Sequence, residues 1–132
     1  MKNKRWVVIT PLLAVSLFLA SGCAPMLVGA GAAAGAGAVA YMEGELRATE
    51  AVSLDRAWNA TQAAAQNLGL VTETRQKDTV SARLEARGPE DRKVTINLTS
   101  AAPEVTEIGI RVGTFGDEAF SQRILEQIRS HY

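Results

Sequence analysis

Hydrophobic and polar positions divide this chain into three stretches. Trp6 to Ala20 runs without a charge, and Met26 to Met42 is a second uncharged run. From Gly44 onward apolar and polar residues alternate with the periods of regular secondary structure. Gly44–Val52 reads as a strand, with Leu46 and Ala48 on one face and Glu45, Arg47 and Thr49 on the other. Ser53 stands where a helix N-cap belongs, with Val52 placed as a hydrophobic staple. Leu54, Ala57, Trp58, Thr61, Ala64, Ala65 and Leu68 recur every three or four residues, which predicts an amphipathic helix with Trp58 in the core. Gly69 occupies the position of a helix-ending glycine.

Four more strands are expected. Leu70–Thr74 leads to a polar turn at Gln76-Lys77-Asp78. In Val80–Arg87, Val80, Ala82, Leu84 and Ala86 alternate with Ser81, Arg83, Glu85 and Arg87. Gly88-Pro89-Glu90-Asp91 forms a turn. Lys93–Thr99 places Val94, Ile96 and Leu98 on one face, and Ser100–Pro103 turns the chain. Thr106–Val112 places Ile108, Ile110 and Val112 inside and Glu107 and Arg111 outside. Such alternation describes an antiparallel meander with one buried and one wet face. A last helix starts after Asp117, with Phe120, Ile124, Leu125 and Ile128 on its apolar stripe. The expected fold is α+β: an antiparallel sheet of four to five strands with two helices on one face, in the order β-α-β-β-β-β-α.

Composition narrows the chemistry. The 132 residues carry 14 basic and 14 acidic side chains, one Cys and one His. Lys2, Lys4 and Arg5 precede the first apolar run, so losing residues 1–22 would leave three more acidic than basic residues. That balance gives no electrostatic reason to bind nucleic acid. A lone Cys makes no internal disulfide, and no ligand set for a metal surrounds it. His131 has no Cys or partner carboxylate beside it, and the chain shows no Ser-His-Asp set. Glu90-Asp91 and Asp117-Glu118 fall at turns or caps, so no catalytic residue, metal ligand or cofactor is assigned and no enzyme is expected. Glu107, Arg111, Glu85, Arg83 and Arg87 are expected to form a cross-strand charge lattice. Gly113-Thr114-Phe115-Gly116 could hold an anion at a helix N-terminus. The reading adopted is a strand-to-helix turn, with Phe115 plugging the core and Asp117 occupying the helix end.

Residues 1–22 have the form of a secretory signal: a positive start, a short apolar core broken by Pro11, and small residues at Ser21 and Gly22. Leu19-Ala20-Ser21-Gly22-Cys23 resembles the bacterial lipobox, with Ala20 where Leu is usual. That resemblance implies cleavage between Gly22 and Cys23 and lipid on the Cys23 thiol, hence a membrane anchor. Ala24, not Asp, after the cysteine implies the inner leaflet of an outer membrane, facing the periplasm. Without an outer membrane, it implies the outer face of the plasma membrane. Residues 23–43 are then a lipid-anchored tract holding four Gly and seven Ala between Met26 and Met42. It reads as a tether, as a membrane-associated helix self-associating through Gly31 and Gly35, or as low complexity without a role. Residues 44–132 form the α+β domain.

Five motifs together resemble an uncharacterised family of small bacterial lipoproteins, a domain of unknown function. They are the tract after Cys23, Tyr41-x-x-Gly44-Glu45-Leu46, Leu54-Asp55-Arg56-Ala57-Trp58, Leu68-Gly69-Leu70 and Ile108-x-Ile110-Arg111-Val112-Gly113-Thr114-Phe115-Gly116-Asp117. The resemblance implies an address and a fold but carries no activity. The expected role is a non-catalytic interaction or scaffold module with an envelope protein partner, docking through the wet sheet face or an edge strand. The alternative is a carrier or sensor of a small apolar or lipid ligand held between helices and sheet.

Overall fold

A computed structural model describes residues 38–132, which belong to one compact unit. Its elements are β1 (Ala38–Met42), β2 (Glu45–Glu50), α1 (Leu54–Asn67), β3 (Val71–Lys77), β4 (Ser81–Arg87), β5 (Lys93–Ala102), β6 (Val105–Val112) and α2 (Glu118–Arg129). A single 3₁₀ turn, Pro89–Asp91, joins β4 to β5. The fold is α+β, as expected, but the sheet has six strands, not four to five. Their spatial order is β1-β2-β6-β5-β4-β3, and every neighbouring pair is antiparallel.

The additional strand is β1, and it lies in the uncharged tract. Ala-Val-Ala-Tyr-Met shows no polar alternation, so nothing local marks it as a strand. The partner and the turn make it one. Glu43 and Gly44 both have positive φ, 52° and 80°. That is the type I′ turn, whose twist matches two paired strands. It sets Ala38 opposite Thr49, Ala40 opposite Arg47 and Met42 opposite Glu45.

Helix limits follow the sequence signals. Ser53 Oγ accepts the Arg56 N–H, and Asp117 accepts the Phe120 N–H. Gly69 (φ 67°) ends α1: its N–H donates to Gln66 O, and the Leu70 N–H donates to Ala65 O. These are the two bonds of a Schellman closure. Two turn readings move. β3 continues to Lys77, so the turn falls at Asp78–Val80, and Val80 is 62% exposed rather than inside. The exchange is held by the Asp78 N–H on Ser81 O and the Ser100 N–H on Val80 O. β5 runs on to Ala102, with an irregularity between Ser100 and Ala102, and turns only at Pro103–Glu104.

Both helices cover one face of the sheet. Leu46, Leu84, Ile96, Leu98, Ile108 and Ile110 from the strands are buried with Ile124 and Ile128 of α2. From α1 the buried set is mainly Ala57, Ala60, Ala64 and Ala65 around Trp58. Small side chains let that helix approach the sheet closely.

Candidate functional site

Two of the motifs singled out in the sequence meet at one corner of the sheet. β2 and β6 are neighbours, so the Tyr41–Leu46 hairpin lies beside Ile108–Asp117. The contact is between backbones, and glycine makes it fit. A Cβ on Gly44 would lie 2.7 Å from Phe115 O. A Cβ on Gly116 (φ 84°) would collide with the Tyr41 hydroxyl and the Gly44 backbone. A Cβ on Gly109 would lie 2.7 Å from Glu45 Oε1, so this glycine leaves room for Glu45 to lie across β6. Arg111 closes the corner by donating from Nη2 to Glu43 O at 3.0 Å, with Glu45 Oε2 at 3.9 Å.

This interlock presents Phe115 to solvent. Its side chain is 92% exposed, which corrects the expectation that it plugs the core. The physical reason is that the loop backbone is spent on the hairpin. With Phe115 O against Gly44, and the Gly113 N–H on Lys93 O at 2.7 Å, the loop sits above the core's edge. Met42 (61%) and Val39 (43%) are the large exposed apolar residues of β1. β1 is also the end strand of the sheet, so its outer N–H and C=O groups have no strand partner among the described residues.

Behind the loop, Asp117 occupies the start of α2. Its carboxylate accepts the Phe120 N–H at 2.9 Å and Arg92 Nη1 at 2.7 Å. The backbone N–H first, and Arg92 second, hold the Asp117 carboxyl below its usual range. The helix end is therefore filled by the chain's own anion. Arg92 also stands over the Phe120 ring, 5.8 Å from its centroid.

The wet face carries a charge lattice, with membership different from expectation. Glu85 pairs with Arg83 (2.6 Å) and with Lys93 (3.3 Å), Arg87 with Glu73 (3.0 Å), and Glu45 with Arg47 (3.0 Å). The Arg83 hydrogen bond leads the causes that hold the Glu85 carboxyl low, and Glu73 raises Arg87. Glu107 lies between Thr49 and Thr99 in register, away from the arginines it was expected to join. Periodicity assigned its face correctly, but only register could assign its neighbours.

The remaining candidates take structural places. His131 Nε2 lies 2.8 Å from Asn67 Nδ2, joining the two helix ends. Glu90 and Asp91 stay exposed in the turn after β4. No group of three metal-binding side chains occurs among the described residues. Two open depressions exist, one lined by Ser53, Asp55, Lys77, Asp78, Ser100 and Pro103, the other on the wet face around Gln76, Arg83 and Asn97. The first opens between the start of α1 and the β3–β4 and β5–β6 turns. The motif reading missed one buried ion pair: Glu50, only 6% exposed, accepts both Nε (2.9 Å) and Nη2 (2.7 Å) of Arg129. Burial of Tyr132 and the nearby Glu50 charge raise its phenol above the ordinary tyrosine range. Leu46, Ala48 and Glu50 share one face, and that period-2 step was the available signal.

Gly22, Cys23, Gly31 and Gly35 lie outside the described residues. Among those described, no helix is long and apolar enough to cross a membrane. No curated protein matches the chain. A family model does match, over residues 6–131, and by that match the chain belongs to the family described as protein of unknown function, DUF3568.

Proposed function

We propose that this chain is a non-catalytic docking module of the bacterial envelope, held at the membrane by lipid on Cys23 and engaging a protein along the β1 edge beside Phe115. One observation carries the docking half. β1 is an uncharged edge strand whose turn to β2 packs on the backbone of the loop that carries the exposed Phe115. An unpaired edge offers main-chain hydrogen bonds to an incoming strand, and exposed apolar side chains beside it add affinity. The continuous cluster of buried apolar side chains between helices and sheet favours docking over carriage of an apolar ligand. The lipobox-like Leu19–Cys23 supports the anchor, and Ala24 favours an outer membrane's inner leaflet.

The anchor is tested by the intact mass of the chain from fractionated envelopes, beside Cys23→Ser. A diacylated or triacylated N-terminus at Cys23, with the variant lost from the membrane fraction, is the expected result. An unmodified soluble chain would sink the anchor. Docking is tested by Phe115→Ser in the anchored chain. Loss of crosslinked adducts with the fold intact is expected, and an unchanged adduct pattern would count against this corner as the docking surface.

A further inference from the structure

We infer that the strand docked on β1 is the β1 of a second copy of this chain, paired antiparallel about Ala40, so that two sheets join into one of twelve strands. This rests on the docking reading above and names its partner.

In a two-residue hairpin the residues flanking the turn exchange both backbone bonds. Counting back from Met42, the residues Met42, Ala40 and Ala38 therefore direct their backbone groups to β2. Tyr41 and Val39 direct theirs outward. An antiparallel copy centred on Ala40 places Val39 opposite Tyr41 of the copy, and Tyr41 opposite its Val39. All four outward N–H groups then meet outward C=O groups. Ala38 falls opposite Met42 of the copy, so all five residues of each strand find a place. Centring on Tyr41 instead would draw Glu43 opposite Val39 and leave Ala38 without a partner.

The side chains suit the same register. Val39 and Tyr41 stand in register with Ala48 and Leu46, on the helix side of the sheet. A β-branched residue opposite an aromatic one is a favourable cross-strand pair. No charge lies on β1, so self-pairing sets no like charges opposite each other. Glu43 lies in the turn beyond Met42, and Glu45 and Arg47 stay one strand behind the junction. Exposed Met42 and Val39 both gain neighbours. The opposite edge, β3, carries Glu73, Arg75 and Lys77 and is broken by an irregularity between Thr72 and Thr74. Charges and bulges are how sheets block edge pairing, so among the described residues β1 is the edge left open. A five-residue junction is small beside the roughly 1,200–2,000 Å² of a stable interface. Anchoring two copies in one leaflet would raise their effective concentration enough for a small junction to form.

The register makes a thiol test direct. Ala40 would face its own copy as a non-hydrogen-bonded pair, about 4.5 Å between Cα atoms, within reach of a disulfide. Ala38 would lie about 13 Å from the same residue of the copy. Ala40→Cys, Ala38→Cys and Arg75→Cys are expressed singly in the full chain in native envelopes, where the only natural thiol, Cys23, is lipidated on the reading above. After mild oxidation, A40C is expected to run as a covalent dimer of twice the chain mass, while A38C and R75C stay single. Equal dimerisation of all three would mean random collision and overturn the pairing. A40C joined to a different polypeptide would overturn the second copy but keep the docking edge. A40C that stays single and open to maleimide would overturn both. Cys23 lipid, read by mass in the same samples, separates failure of the anchor from failure of the pairing.

Discussion

The two edges of this sheet are built by different means. β3 follows a capped helix, carries Glu73, Arg75 and Lys77, and is bulged at Thr72–Thr74. Two of its charges are held by exposed ion pairs, Lys77 to Asp55 at 2.7 Å and Glu73 to Arg87 at 3.0 Å. β1 has neither charge nor bulge. It is held by the type I′ turn and by the glycine interlock with the Gly113–Gly116 loop. One edge is closed by chemistry that water can reach; the other is fixed by close backbone packing that leaves its outer side without a strand partner among the described residues. A sheet needs protection only where no partner is meant to come.

Several substitutions sharpen or break this contrast. The largest loss of stability is expected from Gly116→Ala, which forces a Cβ onto Tyr41 and Gly44 at a left-handed φ. About 3 kcal/mol is expected in urea unfolding from strain plus overpacking. Gly69→Ala is its control: φ is also positive, yet nothing lies within 4 Å of the added Cβ. About 1 kcal/mol is expected there, and equal losses at both sites would dissolve the interlock. Next comes Arg129→Ala, which strands the buried Glu50 carboxylate beside the β1–β2 half. Breaking a buried pair costs about 3–5 kcal/mol; with the Arg129 side chain 36% exposed, about 2 kcal/mol is expected. Glu50→Gln in that background should recover part of the loss, since a neutral amide is cheaper to bury than a charge.

The Asp117 cap behind the loop makes stability depend on pH. Its carboxyl is held below its ordinary value of 3.8 in the folded chain. Its contribution is thus present above that value and lost as pH falls through the lower, folded one. Asp117→Asn should flatten that acid limb of a stability-against-pH curve, and an unchanged limb would refute the assignment. On the β3 side, Lys77→Ala removes an exposed ion pair and should cost only about 0.5 kcal/mol, with more light scattering from the less guarded edge. The smallest effect on stability belongs to Phe115→Ser, within about 0.5 kcal/mol because the side chain is already in water. Its consequence should appear only in docking.

Much of the fold was legible because it is written in local periods. The stripe Ala57-Trp58-Thr61-Ala64-Ala65 and the alternation of Val94, Ile96 and Leu98 depend on neighbours within one turn or one pleat. The caps Ser53 and Asp117 and the closing Gly69 are equally local. Legibility failed where distant chain decided the outcome. Val80 continued an alternating pattern, yet the turn bonds at Asp78 and Ser100 took it out of the strand. Phe115 looked like core because it is large and apolar; the hairpin against its backbone put it outside.

By itself, then, the sequence determined the α+β class, the two amphipathic helices, the inward faces of the meander and the glycines of the last turn. Each follows from the period of hydrophobic burial or from a residue's own backbone freedom. Tertiary structure decided that Ala38–Met42 is a strand, that it ends the sheet, and that Tyr41, Gly44, Glu45, Gly109, Arg111 and Gly116 form one corner. An uncharged five-residue segment has no period of its own to declare. Its conformation is set by the β2 hydrogen bonds and the turn that deliver it there.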